Sequence, residues 1–266
     1  MRTSVLVSLL VFLSMSVFAQ NADFSSPDII TDRPTQTTSP YIVPLKAFQI
    51  ETGFYQQSTS VFTPNGLGAS EVDFQNIVYN SLLLRYGLSS KLELRLNQEI
   101  GRSRLRLDNQ TLEQSDVSFG PTTIGVKYCV VRENGWRPEI ALTGHVGGEI
   151  LSSRGGATGD VRANFQHNVS EKFNVSYNIG ALFFEGGDTI TLWTLNLGYV
   201  ITPRLSAFFE GYGFSQSFSS QQSIDFGLTY LWSSSFQLDF YGGVGVSDFA
   251  PDSLFGFGLS KRLSKN

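Results

Sequence analysis

Beyond residue 20 no apolar run approaches the roughly 20 residues that a helix needs to cross a bilayer, yet the chain repeatedly alternates polar and bulky apolar residues. Leu92-Glu93-Leu94-Arg95-Leu96-Asn97 puts leucine on one face and charge or amide on the other. The pattern returns in Phe173–Ile179, Ile224–Tyr230 and Phe236–Phe240. A period of two is that of a strand with unlike faces. A soluble sandwich alternates too, so the character of each face matters. Here the polar face carries Gly, Ser, Asn and Asp with few lysines, and the apolar face is aromatic, as in a barrel with lipid outside and a polar lumen inside. Charged residues are 16% of the chain, below the roughly 25% of soluble domains. A net charge of -4 argues against a nucleic-acid partner. The lone Cys129 excludes an intramolecular disulfide and a cysteine-cluster metal site.

The first residues read as a secretory signal: one cation at Arg2, an apolar run from Val5 to Phe18, and cleavage after Ala19. A membrane anchor is the other reading, for which the run is short. The expected organisation is a signal peptide over 1–19, a periplasmic or plug-like segment over 20–46 and an outer-membrane barrel over 47–266.

A turn repeat supports that topology. Tyr86 to Leu92, His167 to Phe173, Tyr199 to Leu205 and Tyr230 to Phe236 each run from a ring to an apolar residue six positions on, through Ser or Thr. These are tight strand-to-strand turns. A longer version runs from Tyr128 through Glu133-Asn134-Gly135 to Ile140. The rings at Tyr86, Tyr128, His167, Tyr199 and Tyr230 are expected to form an interface girdle at one height. Five short turns imply six longer loops, near 57–73, 101–116, 150–160, 184–190, 215–222 and 247–253. Twelve strands result, near 47–56, 74–87, 91–100, 117–128, 138–149, 160–168, 172–183, 191–199, 204–214, 223–231, 235–246 and 254–263. Ten or fourteen remain open, because 117–128 and 206–214 alternate poorly. The fold class is all-β, a transmembrane antiparallel up-and-down barrel.

The order Ile30-Thr31-Asp32-Arg33-Pro34-Thr35-Gln36-Thr37, then Val43-Pro44, then Phe48-Gln49-Ile50-Glu51-Thr52-Gly53-Phe54 resembles the start of the family labelled "putative MetA-pathway of phenol degradation". So do Leu84–Leu88, Lys91–Arg95, Gly125–Tyr128, Asp225–Tyr230 and Gly256–Ser260, nearly the whole chain. The resemblance implies an outer-membrane barrel and uptake of small organic molecules. Such barrels tend to end on an aromatic residue that the barrel-assembly machinery reads. This chain ends Arg262-Leu263-Ser264-Lys265-Asn266, leaving Leu263 as a substitute, with Lys261 awkward on the same face.

An enzymatic barrel would need a histidine beside a serine. His167 sits at a turn and His145 has no adjacent same-face serine, so no catalytic, metal or cofactor site is expected. Asp32 and Arg33 have two readings: a plug pairing Arg33 with lumen acids, or a solvated periplasmic lead-in. If each turn is symmetric, Arg85 opposes Glu93, Thr194 opposes Glu210 and Gly227 opposes Asp239. Arg85, Glu93, Arg95, Glu99 and Lys127 then face inward across from Glu210, Asp225 and Asp239. Arg95 and Lys127, lacking an assigned partner, are the foremost selectivity candidates. Phe208, Tyr241 and Arg162 are placed to narrow the lumen. The expected function is passive passage of small, aromatic or hydrophobic, organic solutes, with outer-membrane lipid, the solute and the assembly machinery as partners. A closed structural or adhesive barrel and a lipid-modifying enzyme are the alternatives.

Overall fold

A computed structural model describes residues 28–65, 68–108, 110–148, 156–187, 189–217 and 219–263; the expected signal peptide lies outside them. Fourteen strands form one antiparallel sheet: β1 Phe48–Asn65, β2 Gly68–Gly87, β3 Leu92–Leu107, β4 Gln110–Gln114, β5 Ser118–Phe119, β6 Thr122–Val131, β7 Glu139–Gly148, β8 Thr158–Asn168, β9 Phe173–Phe184, β10 Ile190–Thr202, β11 Leu205–Gln216, β12 Ser219–Ser233, β13 Phe236–Gly245 and β14 Ser253–Leu263. The short β4 and β5 only attach to β3. The other twelve close into a ring, because β1 pairs with both β2 and β14. Closure leaves the wall without an open edge, and the even count brings the start of β1 at Phe48 and the end of β14 at Leu263 to the side of the short turns.

The packing is that of a soluble protein turned inside out. Phe226, Phe240 and Phe257 are more than half exposed on the outer face, while Glu51, Glu93, Glu210, Lys127 and Asn164 are fully buried within. Among the described residues no helix is long and apolar enough to cross a membrane; the closed ring instead has strands whose backbone groups are satisfied by their neighbours.

Two expected loops are largely strand. Residues 57–73 continue the β1–β2 hairpin to the Asn65↔Gly68 pair, and 101–116 hold the end of β3 and all of β4. An antiparallel ladder supplies its own hydrogen bonds, so it can rise beyond the membrane with polar side chains on both faces, as at Gln56-Gln57-Ser58-Thr59-Ser60. The expected strand over 117–128 instead breaks at Gly120-Pro121, where proline has no N–H to give.

The three expected pairings are each displaced by two residues. Arg85 faces Arg95, Thr194 faces Tyr212, and Gly227 faces Tyr241; Glu93 lies opposite Gly87, Glu210 opposite Asn196 and Asp239 opposite Thr229. The first turn closes through Leu88 and Ser89 N–H groups donating to the Leu92 carbonyl, which leaves Ser89–Lys91 as the loop. The other two hairpins carry bulges, between Val200 and Thr202 and between Leu231 and Ser233. A displacement of two keeps every side chain on its face, whereas one would have exchanged lumen and lipid.

Candidate functional site: the lumen and the segment within it

Residues 28–46 contain Pro34, Pro40 and Pro44, which cannot donate to a ladder. Short side-chain bonds, Thr31 Oγ1 to the Arg33 carbonyl and Thr35 Oγ1 to the Thr37 carbonyl, shape the segment locally instead. Its remaining partners lie around the ring. The Asp32 and Arg33 amides donate to Glu51 of β1 at 2.9 and 3.0 Å. The Gln36 and Thr37 amides donate to Glu210 of β11 at 2.7 and 2.8 Å. Thr38 N donates to Asn178 of β9 at 2.6 Å, and Val43 N to Glu93 of β3 at 2.9 Å. Only a segment inside the barrel reaches partners so distributed.

Asp32 is the hub of the charged part. Its carboxylate lies 2.7 Å from Arg95, 3.0 Å from Lys127 and 3.7 Å from Arg85. Arg85 also pairs with Glu93 at 2.7 Å and Glu51 at 2.8 Å, and Arg95 with Glu93 at 2.8 Å. Three cations thus meet three carboxylates with almost no solvent. Burial alone would raise the Asp32 carboxyl, but Arg85, Lys127 and Arg95 outweigh it and hold that carboxyl well below the usual carboxylate range. The expectation that Arg95 and Lys127 lack partners is therefore corrected: both belong to Asp32, a residue far from them in sequence. Arg85 and Glu93 do pair, but diagonally across the hairpin.

Elsewhere in the lumen Arg33 is held by Asp239 at 3.2 Å and Ser81 at 2.9 Å. Arg162 lies 3.4 Å from Asp160 and donates to the Gln36 carbonyl at 3.3 Å. His145 bridges Arg95, at 3.0 Å, and Asp160, at 2.9 Å. Glu99 accepts the Tyr55 hydroxyl at 3.1 Å. Asp225, opposite Glu210, is 1% exposed, and neither of its oxygens has a hydrogen-bond partner. Sequence reasoning did not single out Glu51, Tyr55, Asp160 or Asn178, and it weighed His145 only as a catalytic base. Their inward phase was readable from alternation; the contacts of Glu51 and Asn178 with residues 28–46 were not.

Three cavities surround the segment. One of about 290 Å³ lies between it and the loop end, lined by Tyr55, Glu99, Tyr212 and Tyr241. One of about 300 Å³ lies toward the turn end among Asn174, Ser176, Asn196 and Gln237. Arg33, Pro34 and Thr35 border both and so separate them. A third, about 390 Å³, runs beside β2 and β3 past Arg95, Glu99 and Arg162. Phe208, Tyr241 and Leu254 pack together with Tyr55 and narrow the lumen. On the outer face an apolar depression of about 750 Å³ is lined by Leu84, Tyr86, Leu94, Leu96, Ile124 and Val126. Among the described residues no cluster of His, Cys, Asp or Glu is arranged to hold a metal.

Tyr86, Tyr128, Tyr199 and Tyr230 are exposed on the outer face, close to the short turns. His167 is half-buried on the same face and stacks on Tyr177, ring centroids 6.0 Å apart. Lys261 also points outward, but its Nζ reaches Ser235 Oγ in the turn at 3.0 Å and lies over the Phe236 ring, which relieves its awkward position.

The model of the family described as "Putative MetA-pathway of phenol degradation" matches residues 31–263. No curated protein matches the chain in sequence. Among solved structures, an outer membrane channel from Pseudomonas putida F1 is 14% identical, with TM-score 0.64 over 86% of this chain and all of that one. The KdgM porin is 12% identical, with TM-score 0.52 over 81% of this chain and 99% of its own. The Pseudomonas putida toluene transporter TodX is 10% identical, with TM-score 0.51 over 91% and 99%. At such identities the likeness is one of fold: an outer-membrane barrel.

Proposed function

Because the chain belongs to the family described as "Putative MetA-pathway of phenol degradation", we propose that it is a bacterial outer-membrane channel through which small organic molecules pass by diffusion, the lumen charges setting selectivity. The observation that carries this reading is the arrangement inside the wall. The lumen keeps open space around one polar segment: a cavity toward each end, with residues 33–35 between them, and a third beside β2 and β3. A segment held by hydrogen bonds and ion pairs is a stopper that can shift without unfolding the barrel. A modest, aromatic or hydrophobic, organic solute suits the tyrosine-lined cavity, and a relative in fold is a toluene transporter by its title. Lipid at the ring-bearing outer face and the assembly machinery at the exposed Leu263 are the partners that fit this reading.

Liposome swelling with aromatic acids, fatty acids and sugars, alongside currents in planar bilayers, tests it. Swelling with one solute class and a reproducible current is the expected outcome. A tight barrel with neither would favour the second reading, a closed structural or adhesive surface protein, which the extensive anchoring of residues 28–46 also suits. Lipid turnover by purified protein would instead point to an enzyme.

A further inference from the structure

We propose that the tyrosine-lined cavity on the loop side of the segment is a binding subsite for small aromatic ammonium ions, such as a single ring bearing an amino group. This rests on the channel reading and names the solute class for which the mouth is built. The walls are Tyr55, Tyr212, Phe214 and Tyr241, the floor includes Arg33, and Glu99 lies at the side. At about 290 Å³ the space is at the low end for ligand pockets, so it admits one ring with a short arm.

The charge around this space is one-sided. Arg33 is matched by Asp239, 3.2 Å away. Among the described residues Glu99 has no cationic partner; its carboxylate accepts only the Tyr55 hydroxyl, at 3.1 and 3.3 Å. Asp225 lies two residues along β12 from Ser223, which borders the cavity, but does not itself line it. It is 1% exposed and neither oxygen has a hydrogen-bond partner. Glu210, across from it, is occupied by the Gln36 and Thr37 amides. Carboxylates removed from water without a cation are costly, and a cation entering from outside relieves that cost. Aromatic faces attract the same ligand through their quadrupoles. An anionic solute meets the opposite: the Glu99 carboxylate and an arginine already engaged. A neutral ring gains the aromatic walls but not the charge.

The test measures binding to purified protein in detergent by calorimetry, with benzylammonium, benzyl alcohol and benzoate as probes of matched shape. Benzylammonium is expected to bind at least about tenfold more tightly than either, which is roughly 1.4 kcal/mol. Glu99→Gln should bring the three within about threefold of one another, still relative to a barrel that migrates faster unheated than boiled. Tyr55→Phe keeps the ring but frees Glu99 of its hydroxyl donor, so it should tighten benzylammonium further. This second variant holds the proposal to account if Glu99→Gln does not fold. Equal or tighter binding of benzoate or benzyl alcohol to the wild type overturns it, as does looser benzylammonium binding in Tyr55→Phe. Flux is read separately in liposomes. Preferential binding without flux supports the subsite and sinks the channel reading; flux without preferential binding sinks the subsite and leaves the channel.

Discussion

The two sides of the lumen hold the same N-terminal segment by different physics. On the side of β1, β2, β3 and β6, Asp32 joins Arg85, Arg95 and Lys127 in a buried network that also contains Glu51 and Glu93. On the side of β9 and β11, Glu210 and Asn178 hold Gln36, Thr37 and Thr38 through backbone amides and a hydroxyl, with no cation paired to Glu210 and only an Arg162 bond to the Gln36 carbonyl besides. The first side balances full charges against one another, so removing a single member leaves several uncompensated. The second balances one carboxylate against dipoles, and beside it Asp225 faces that carboxylate with no cation between them. A segment so held is firmly fixed along one wall and weakly along the other, and displacement should begin at Gln36–Thr38.

The largest effect should follow from breaking the network at its centre. Asp32→Asn leaves Arg95 and Lys127 buried without their principal anion, and loss of one partner of a buried pair costs about 3–5 kcal/mol. The segment should leave the wall, single-channel conductance should rise, and the barrel should keep its heat-modifiable migration. Unchanged conductance with unchanged solute exclusion would mean that Asp32 does not hold the lumen closed. Glu210→Gln should do less. Hydrogen bonds to a charged group contribute about 1.5–3 kcal/mol, and the amide still accepts one of them. Hydrogen exchange at Gln36 and Thr37 should accelerate, with exchange at Asp32 and Val43 unaltered. Equal acceleration along the whole segment would show one cooperative unit and dissolve the distinction between the two sides.

Acid tests the same contrast with no substitution. The Asp32 carboxyl is held below its ordinary 3.8 despite burial, by Arg85, Lys127 and Arg95. A depressed value stabilises the bound segment at pH above the free carboxyl's range, and that contribution is lost only as pH falls through the lower, bound value. Conductance should therefore stay low well below pH 4 in the wild type. Opening between pH 5 and 4, with Asp32 intact, would contradict the network's hold on that carboxyl.

The wall was legible because lipid enforces a rule that sequence records directly. Leu92, Leu94 and Leu96 could only face out if Glu93 and Arg95 faced in, and each tight turn announced itself by a ring and a serine or threonine. Register was legible only to its parity. The bulges at Val200–Thr202 and Leu231–Ser233 displace pairing by an amount that the turn residues do not specify. Of the lumen network, Arg85 beside Glu93 and an Arg33 that could meet lumen acids were readable, but the Asp32 contacts were not, since Asp32 meets Lys127 across 95 positions and no periodicity links an irregular segment to a strand. Hence Arg95 and Lys127 read as free cations when both are paired with Asp32.

The smallest stability effect, and the sharpest contrast with Asp32, should come from Asp225→Asn. Both residues are buried aspartates in the same lumen, so burial alone would assign them equal weight. Their partners differ. Asp32 is surrounded by three cations, whereas the Asp225 oxygens have no hydrogen-bond donor and face Glu210 across the strand pair. Replacing a buried carboxyl that no cation compensates with a neutral amide removes the cost of keeping charge there. The new amide can also donate to Glu210. Stability should change by less than about 0.5 kcal/mol or improve, measured as the midpoint of heat-induced loss of the fast-migrating form. Selectivity should respond nonetheless. With one of two unpaired carboxylates gone, currents in a salt gradient should shift toward lower preference for cations. A large loss of stability would show that Asp225 has a structural partner, and the division of the lumen into a paired and an unpaired side would then fail.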